Sequence, residues 1–340
     1  MGRKLKVLFA SAILVLTMGN LFSKTVEQHE QIDLDGIEEV VIELKTLKRV
    51  SFGFNFVGVD TAITSCSGDE MLADLELDVT AISEKTLPEM EVERSSKMVK
   101  ILFNIKNKVG VDLIRFGKIK VAFALPSSYH GKVKVESSVY NISAEDLSVS
   151  ELYIQNKTGN IDLYMIEADT LMVRNSTGNI DADLVKANVG KIRNSSGNIR
   201  CGELIVDDLS LKNSTGNVAV ENIQAKHSEI VNRCGSVKIG MIRGGAKISS
   251  SLGNIKARFE EFTDDVSVSN KTGSVKLYLP RDSAFAYTYK NGCGSVKFDF
   301  PRTESIDEES SRKIHNGTVN GGGPLLDAKV STGSLKIYAY

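Results

Sequence analysis

Asn156-Lys157-Thr158-Gly159-Asn160-Ile161 returns as Asn175-Ser176-Thr177-Gly178-Asn179-Ile180, then as Asn194-Ser195-Ser196-Gly197-Asn198-Ile199 and Asn213-Ser214-Thr215-Gly216-Asn217-Val218. From Gly159 through Gly178, Gly197 and Gly216 to Gly235 the step is always 19 residues. Gly253, Gly273 and Gly294 follow at steps of 18, 20 and 21, and Gly333 is a last relative. A fixed period near twenty residues marks a solenoid. Each repeat is one supersecondary unit, and only stacking buries its apolar side.

Laying the repeats over one another shows which side chains point inward. Two residues after each glycine stand Ile161, Ile180, Ile199, Val218, Val237, Ile255, Val275 and Val296. Two residues further on stand Leu163, Ala182, Cys201, Val220, Ile239, Ala257, Leu277 and Phe298. This is the strand period of two, with β-branched residues on the buried side. A second short strand is predicted later in each coil, at Leu171 and Val173, Leu209 and Leu211, Ile230, and Val266 and Val268. Asn156, Asn175, Asn194, Asn213, Asn232, Asn270 and Asn291 precede their glycines by three residues, with Ser250 in the remaining coil. Glycine permits the positive φ that a sharp turn needs. Amides stacked in register would form a hydrogen-bonded ladder. The sequence thus predicts an all-β chain, a parallel β-helix or β-solenoid with ~19-residue coils.

Outside the repeats the chain divides into further parts. Residues 1–23 read as a secretory signal: Arg3, Lys4 and Lys6, the apolar run Val7 to Met18, then Gly19-Asn20-Leu21-Phe22-Ser23. Residues 24–126 read as a β-rich capping region, with strands expected at 40–44, 75–79, 99–103 and 119–123 before Pro126. The repeats occupy 127–300, and 301–340 reads as a polar loop followed by a final coil, Ser331 to Ile337, that would close the C-terminal end. An outer-membrane barrel would also alternate polarity over short strands. It needs aromatic girdles, and this chain has no Trp and 6% aromatic residues.

Composition narrows the function classes. The chain has 340 residues and balances 42 basic against 43 acidic side chains, for a net charge of −1. No strong overall field favours nucleic acid. Four cysteines in an exported chain invite disulfides. Cys201 falls in an inward column, while Cys234 and Cys293 share the column before the glycine. In sequence order those two lie three coils apart, ~14 Å at the usual strand spacing, beyond the ~7 Å reach of a disulfide.

β-Helices also host glycan-cleaving enzymes, which need clustered carboxylates or a base. His29, His130, His227 and His315 are scattered. Asp162, Asp181 and Asp183 lie on neighbouring coils, yet the column of Asp162 and Asp181 continues as Arg200, Ala219, Lys238 and Lys256, which reads as a solvated face. No calcium-binding nonapeptide, metal-ligand spacing or phosphate loop occurs, so no catalytic residue, metal or cofactor is expected. Asn-x-Ser/Thr matches a glycosylation acceptor repeatedly, but the matches fall on the turn, where a stacked amide accounts for them.

Several of these stretches together resemble the bacterial "putative adhesin" family, an exported β-helical domain of unknown function. They are the secretory signal, the β-rich region that leads into the repeats, Phe123-Ala124-Leu125-Pro126, Leu277-Tyr278-Leu279-Pro280, the Thr/Ser-Gly-Asn/Ser-Ile/Val turns and the C-terminal Thr332-Gly333-Ser334-Leu335-Lys336-Ile337. The family usually carries Asp after the turn glycine, where this chain has Asn or Ser. The resemblance implies a β-helical fold and a place in or outside the cell envelope. The expected function is that of a non-enzymatic, adhesin-like or cell-envelope scaffold protein, exported to the periplasm or cell surface. Its expected partner is an envelope or surface protein or a glycan, with no nucleic acid and no integral membrane segment after signal cleavage. The alternatives are a carbohydrate-active enzyme on a β-helix and an envelope-stress sensor.

Overall fold

A computed structural model describes residues 16–17, 22–45, 59–81, 89–104, 115–301, 303–306 and 314–340. The expected signal segment lies almost wholly outside these residues, as does Glu308 to Ser311. The described residues form an all-β, parallel β-solenoid without helix, preceded by a β-rich capping region. No described helix is long and apolar enough to cross a membrane. The chain falls into two compact units, residues 1–175 and 176–340.

In the second unit the coils Ile180–Ser196, Ile199–Thr215 and Val218–Cys234 stack as parallel strands, each residue facing the one 19 positions later. The pairing skips Asp183 and Asn188, and Ser195 just before the turn. At the first two, which are corners, the inward spacing lengthens from two residues to three, giving the inward series Ile180, Ala182, Val185, Ala187, Gly190, Ile192 and Asn194, all buried except the half-buried Ala187. Each coil is thus three short strands around one core. The other inward apolar residues named above are buried except Val296, which, like Ala187, is partly exposed. The expected later strand of each coil is present.

The coils do not stack in sequence order at the C-terminal end. Val266–Thr272 pairs with Leu325–Thr332, and Val275–Leu279 pairs with Leu335–Ala339. Leu325–Thr332 pairs on its other edge with Phe285–Cys293, and Leu335–Ala339 with Val296–Phe298. The final coil is therefore inserted between the two coils that precede it in sequence; it does not close the end. The end is closed by Ile314–Val319, antiparallel on Phe285–Lys290, with Thr303–Ile306 antiparallel beyond it. These two strands lie in the stretch that the sequence suggested as loop. They seal the last core layer, where Phe285 packs against Phe262 and Phe300 and Tyr289 stacks on His315 at 4.6 Å.

The first unit uses the same device. All four strands expected before Pro126 are present, within Glu39–Lys45, Glu70–Ala81, Met98–Asn104 and Arg115–Pro126. Glu39–Lys45 lies between Met98–Asn104 and Lys132–Val139, parallel to both. Val59–Cys66 lies between Arg115–Pro126 and the start of Asn141–Thr158. The chain's first coil is again second from the end. Antiparallel strands cover the outermost coil: Glu70–Ala81 on Arg115–Pro126, and Glu89–Arg94 on Met98–Asn104. Covering the last coil in this way shields the edge of the stack, which would otherwise template aggregation.

Candidate interaction face

The turn columns come first, because they set where every other side chain points. Gly159, Gly178, Gly197, Gly216, Gly235, Gly253, Gly273, Gly294 and Gly333 share one geometry, all with φ between 120° and 141°. A Cβ on Gly216 would also lie 2.1 Å from the Gly197 carbonyl oxygen of the adjoining coil. Both the dihedral and the close approach demand glycine there.

Asn156, Asn175, Asn194, Asn213, Asn232 and Asn270 are buried. Their amides do not bond to one another. Asn156 Nδ2 donates to the Tyr140 carbonyl at 2.8 Å, and Asn175 Nδ2 to that of Gly159 at 2.8 Å. Asn194, Asn213, Asn232 and Asn270 donate to the carbonyls of Gly178, Gly197, Gly216 and Gly253 at 2.8 to 3.1 Å. Each amide thus satisfies the turn carbonyl of the coil beneath it, and its own Oδ1 is left without a hydrogen-bond partner. The arrangement is a comb of amide-to-carbonyl bonds in place of the amide-to-amide ladder expected. Asn291 departs from it and donates to Ser295 O at 3.4 Å in its own coil. Val330 fills the corresponding place in the inserted coil, between Asn270 and Asn291.

A second comb escaped the sequence reading. Where an asparagine follows the turn glycine, and at Asn141 in the same column after Tyr140, Oδ1 faces the next coil's backbone. Asn141, Asn179, Asn198, Asn217 and Asn254 accept from the N–H of Asn160, Asn198, Asn217, Ser236 and Ser274, all at 2.9 Å. The recurrence of Asn directly after glycine was the available signal. An aspartate in that place could accept the same bond.

The cysteines are all free, and Cys201 is buried. Burial, with a smaller contribution from the charge of Asp181, pushes its thiol up to about 12. Cys234 and Cys293 share a column through Leu252, Thr272 and Thr332. Because the last coil is inserted, they are four steps apart rather than three, ~19 Å at the usual spacing.

Among the described residues the histidines and the acids singled out by the sequence do not converge on one site. His29 meets Asp74 at 2.7 Å, His130 the Ser148 carbonyl at 3.2 Å, and His227 meets Asp208 at 3.2 Å, while His315 lies against Tyr289. Asp181 pairs with Arg200 at 3.4 Å. Among the described residues no three His, Cys, Asp or Glu gather where they could hold a metal ion. A shallow hollow in the first unit is lined by Glu39, Lys132, Lys134, Glu151 and Tyr153. Its cations are compensated, Lys132 by Glu151 at 3.4 Å and Lys134 by Glu136 at 2.8 Å.

One outward column differs from the rest. Register carries Ala219 onto Lys238, Lys238 onto Lys256, Lys256 onto Lys276, Lys276 onto Lys336, and Lys336 onto Lys297. Five lysines therefore stand on five adjacent coils, three residues after each turn glycine. Neighbouring ammonium groups one strand spacing apart (~4.8 Å) repel by roughly 0.9 kcal/mol in water. Beside them runs Arg258 onto Tyr278 onto Tyr338. The two tyrosine rings stack at 5.1 Å. Lys256 lies over Tyr278 at 5.3 Å, Lys297 over Tyr338 at 4.9 Å and Arg258 over Tyr340 at 3.8 Å. On the other flank stand Ser236, Asn254, Ser274, Ser334 and Ser295, with Ser334 Oγ donating to Ser274 Oγ at 2.9 Å.

No curated protein matches the chain. Solved structures similar to it include a "putative lipid binding protein" from Parabacteroides distasonis ATCC 8503, at 11% identity and TM-score 0.40, covering 92% of this chain and 97% of that one. A "putative adhesin" from Bacteroides fragilis NCTC 9343 has 11% identity and TM-score 0.38, covering 93% and 97%. A "putative cell adhesion protein" from Clostridium sporogenes ATCC 15579 has 13% identity and TM-score 0.21, covering 93% and 100%. The family model Toastrack DUF4097 matches twice, over residues 59–204 and 169–337. Together the two matches span residues 59–337, well over half of the chain, and the chain belongs to the Toastrack DUF4097 family.

Proposed function

We propose that this protein is an exported, non-enzymatic β-solenoid that serves as an adhesin-like or cell-envelope interaction scaffold. The observation that carries the reading is the lysine and tyrosine face just described. Its residues sit at fixed outward positions on five consecutive coils, held by a rigid backbone rather than by loops. A flat, regular surface of that kind suits recognition of an extended partner. Export is supported by Arg3, Lys4 and Lys6 ahead of the apolar run from Val7 to Met18. The turn asparagines and glycines have, on this reading, a structural role and touch no ligand.

The test is location together with activity. Fractionation and protease shaving of intact cells should find the mature chain in the envelope or at the surface. Residence in the cytosol would end the proposal. The purified chain should leave a glycan panel uncleaved. Cleavage that disappears on replacing Asp162 and Asp181 would replace a scaffold with an enzyme.

A further inference from the structure

We propose that the column Lys238, Lys256, Lys276, Lys336 and Lys297 is a binding track for a linear anionic glycan carrying one carboxylate per sugar. The glycan would lie along the stack, across the coils. This rests on the reading of the outer face as an interaction surface and names its partner.

The first argument is charge left uncompensated. Several exposed basic side chains on other columns of the same unit pair with acids, often on the neighbouring coil, although Lys186, Lys191 and Arg233 do not among the described residues. Arg200 pairs with Asp181, Lys212 with Glu229 at 2.6 Å, Lys226 with Asp207 at 3.0 Å, and Arg243 with Glu260 and Glu261 at 3.1 and 3.3 Å. Among the described residues no carboxylate pairs with Lys238, Lys256, Lys276 or Lys336, and only Lys297 has one, Asp299 at 3.3 Å. In a chain of net charge −1, a run of unpaired like charges in register is a local cost. A polyanion laid over the column removes that cost, and each further anion engages a cation already held in place.

The second argument is spacing. In register the cations recur every ~4.8 Å, close to the length of one pyranose ring. Phosphates of a B-DNA strand recur every ~3.4 Å along an axis around which they wind away, so they would fall out of step within a few coils.

The third argument is what flanks the cations. The half-buried Tyr278 and Tyr338 give the column an amphipathic border, apolar in the ring and polar at the hydroxyl, along which a sugar chain can lie. Their faces are already occupied by each other and by Lys256 and Lys297, which closes them to an intercalating base. The Ser and Asn column on the other side supplies hydroxyl and amide partners for sugar hydroxyls.

The experiment uses the full mature chain, with polygalacturonate as probe and its methyl-esterified form as an uncharged copy of the same backbone. Calorimetry should show binding to the acid and none to the ester. Affinity should fall with salt and rise with oligomer length up to about five sugars, one per lysine-bearing coil. A triple variant (Lys256→Gln, Lys276→Gln, Lys336→Gln) should lose roughly tenfold or more. A control triple on other faces (Lys186→Gln, Lys212→Gln, Lys226→Gln) should keep its affinity. Because Lys256 and Lys276 are exposed and Lys336 is half-buried on the same outward column, the first triple should fold, and it should melt higher than the wild type at low salt as repulsion is relieved. Equal binding of acid and ester, equal loss in both triples, or tighter binding of single-stranded DNA or phosphatidylglycerol vesicles than of polygalacturonate would each overturn the track. Any of these in a chain still found at the cell surface would leave the scaffold reading standing, so the two failures are told apart.

Discussion

Stacking order gives the sharpest prediction, because sequence order and tertiary order place different residues beside Cys293. If coils stacked as they follow in the chain, Thr272 would be its neighbour. The inserted coil puts Thr332 there and moves Thr272 one coil further on. In-register parallel neighbours have Cα atoms ~4.8 Å apart, and next-but-one neighbours ~9.6 Å. A disulfide needs about 4.4–6.8 Å. Thr332→Cys should therefore oxidise with Cys293, and Thr272→Cys should not. The bond would close a loop of about 40 residues, from 293 to 332, which in the chain-entropy account stabilises by ~4 kcal/mol, less any strain. All three positions are exposed or at the turn, so each variant should fold. Peptide mapping under non-reducing conditions identifies the bond, and urea unfolding with and without reductant measures its effect. A Cys293 bond to residue 272 but not 332 would refute the inserted coil outright.

The turn column, the thiols and the leader each give a further outcome. Asn213→Ala should cost ~1–2 kcal/mol, since one hydrogen bond is lost while an unpaired Oδ1 is removed with it; Lys186→Ala, on the exposed face, should cost less. Asn213→Asp should be worse at neutral pH, because it sets a buried carboxylate against the Gly197 carbonyl. Its folded-state pKa would be raised, so stability is lost as pH rises above the unfolded value of ~3.9, by ~1.4 kcal/mol for each tenfold weakening of the acid. Parallel pH profiles for the two variants in urea unfolding would refute a buried donor. Cys201 should resist alkylation in the native protein while the exposed Cys293 reacts; equal labelling rates would place Cys201 at the surface. His29 titrates above its ordinary value chiefly through its hydrogen bond with Asp74. The stabilisation from that pair is present in full below ~6.5 and vanishes as pH climbs through the raised value. Asp74→Asn should bring the ring's NMR titration back down, and an unchanged titration would show that the pair does not form.

What could be read from the sequence was whatever repeats locally. Ile180, Ile199 and Val218 lie inside because the strand period of two leaves them no other side once the turn glycine fixes where the strand begins. The register of Asn213 over Asn194 follows from a period that does not vary. The strands of the leader were legible for the same reason, as alternating or apolar runs bounded by breakers. The hydrogen-bond target of the asparagines was not, because an amide can bond sideways to another amide or downward to a carbonyl, and the choice depends on how closely the coils approach at the glycine. The corner positions, Asp183 and Asn188, were also hidden, since nothing in their identity marks the change from two-residue to three-residue spacing.

By itself, then, the sequence determined the coil: its length, its turns, its inward residues and the outward place of each lysine. Only the tertiary structure decided the order in which coils sit. Near-identical repeats expose near-identical edges, so a coil carries no local mark of which neighbour it will take, and long-range pairing makes that choice. Inserting Leu325–Ala339 between its predecessors is what sets Lys336 between Lys276 and Lys297. The repeat alone puts five lysines in one column; which of them are neighbours is decided by the fold.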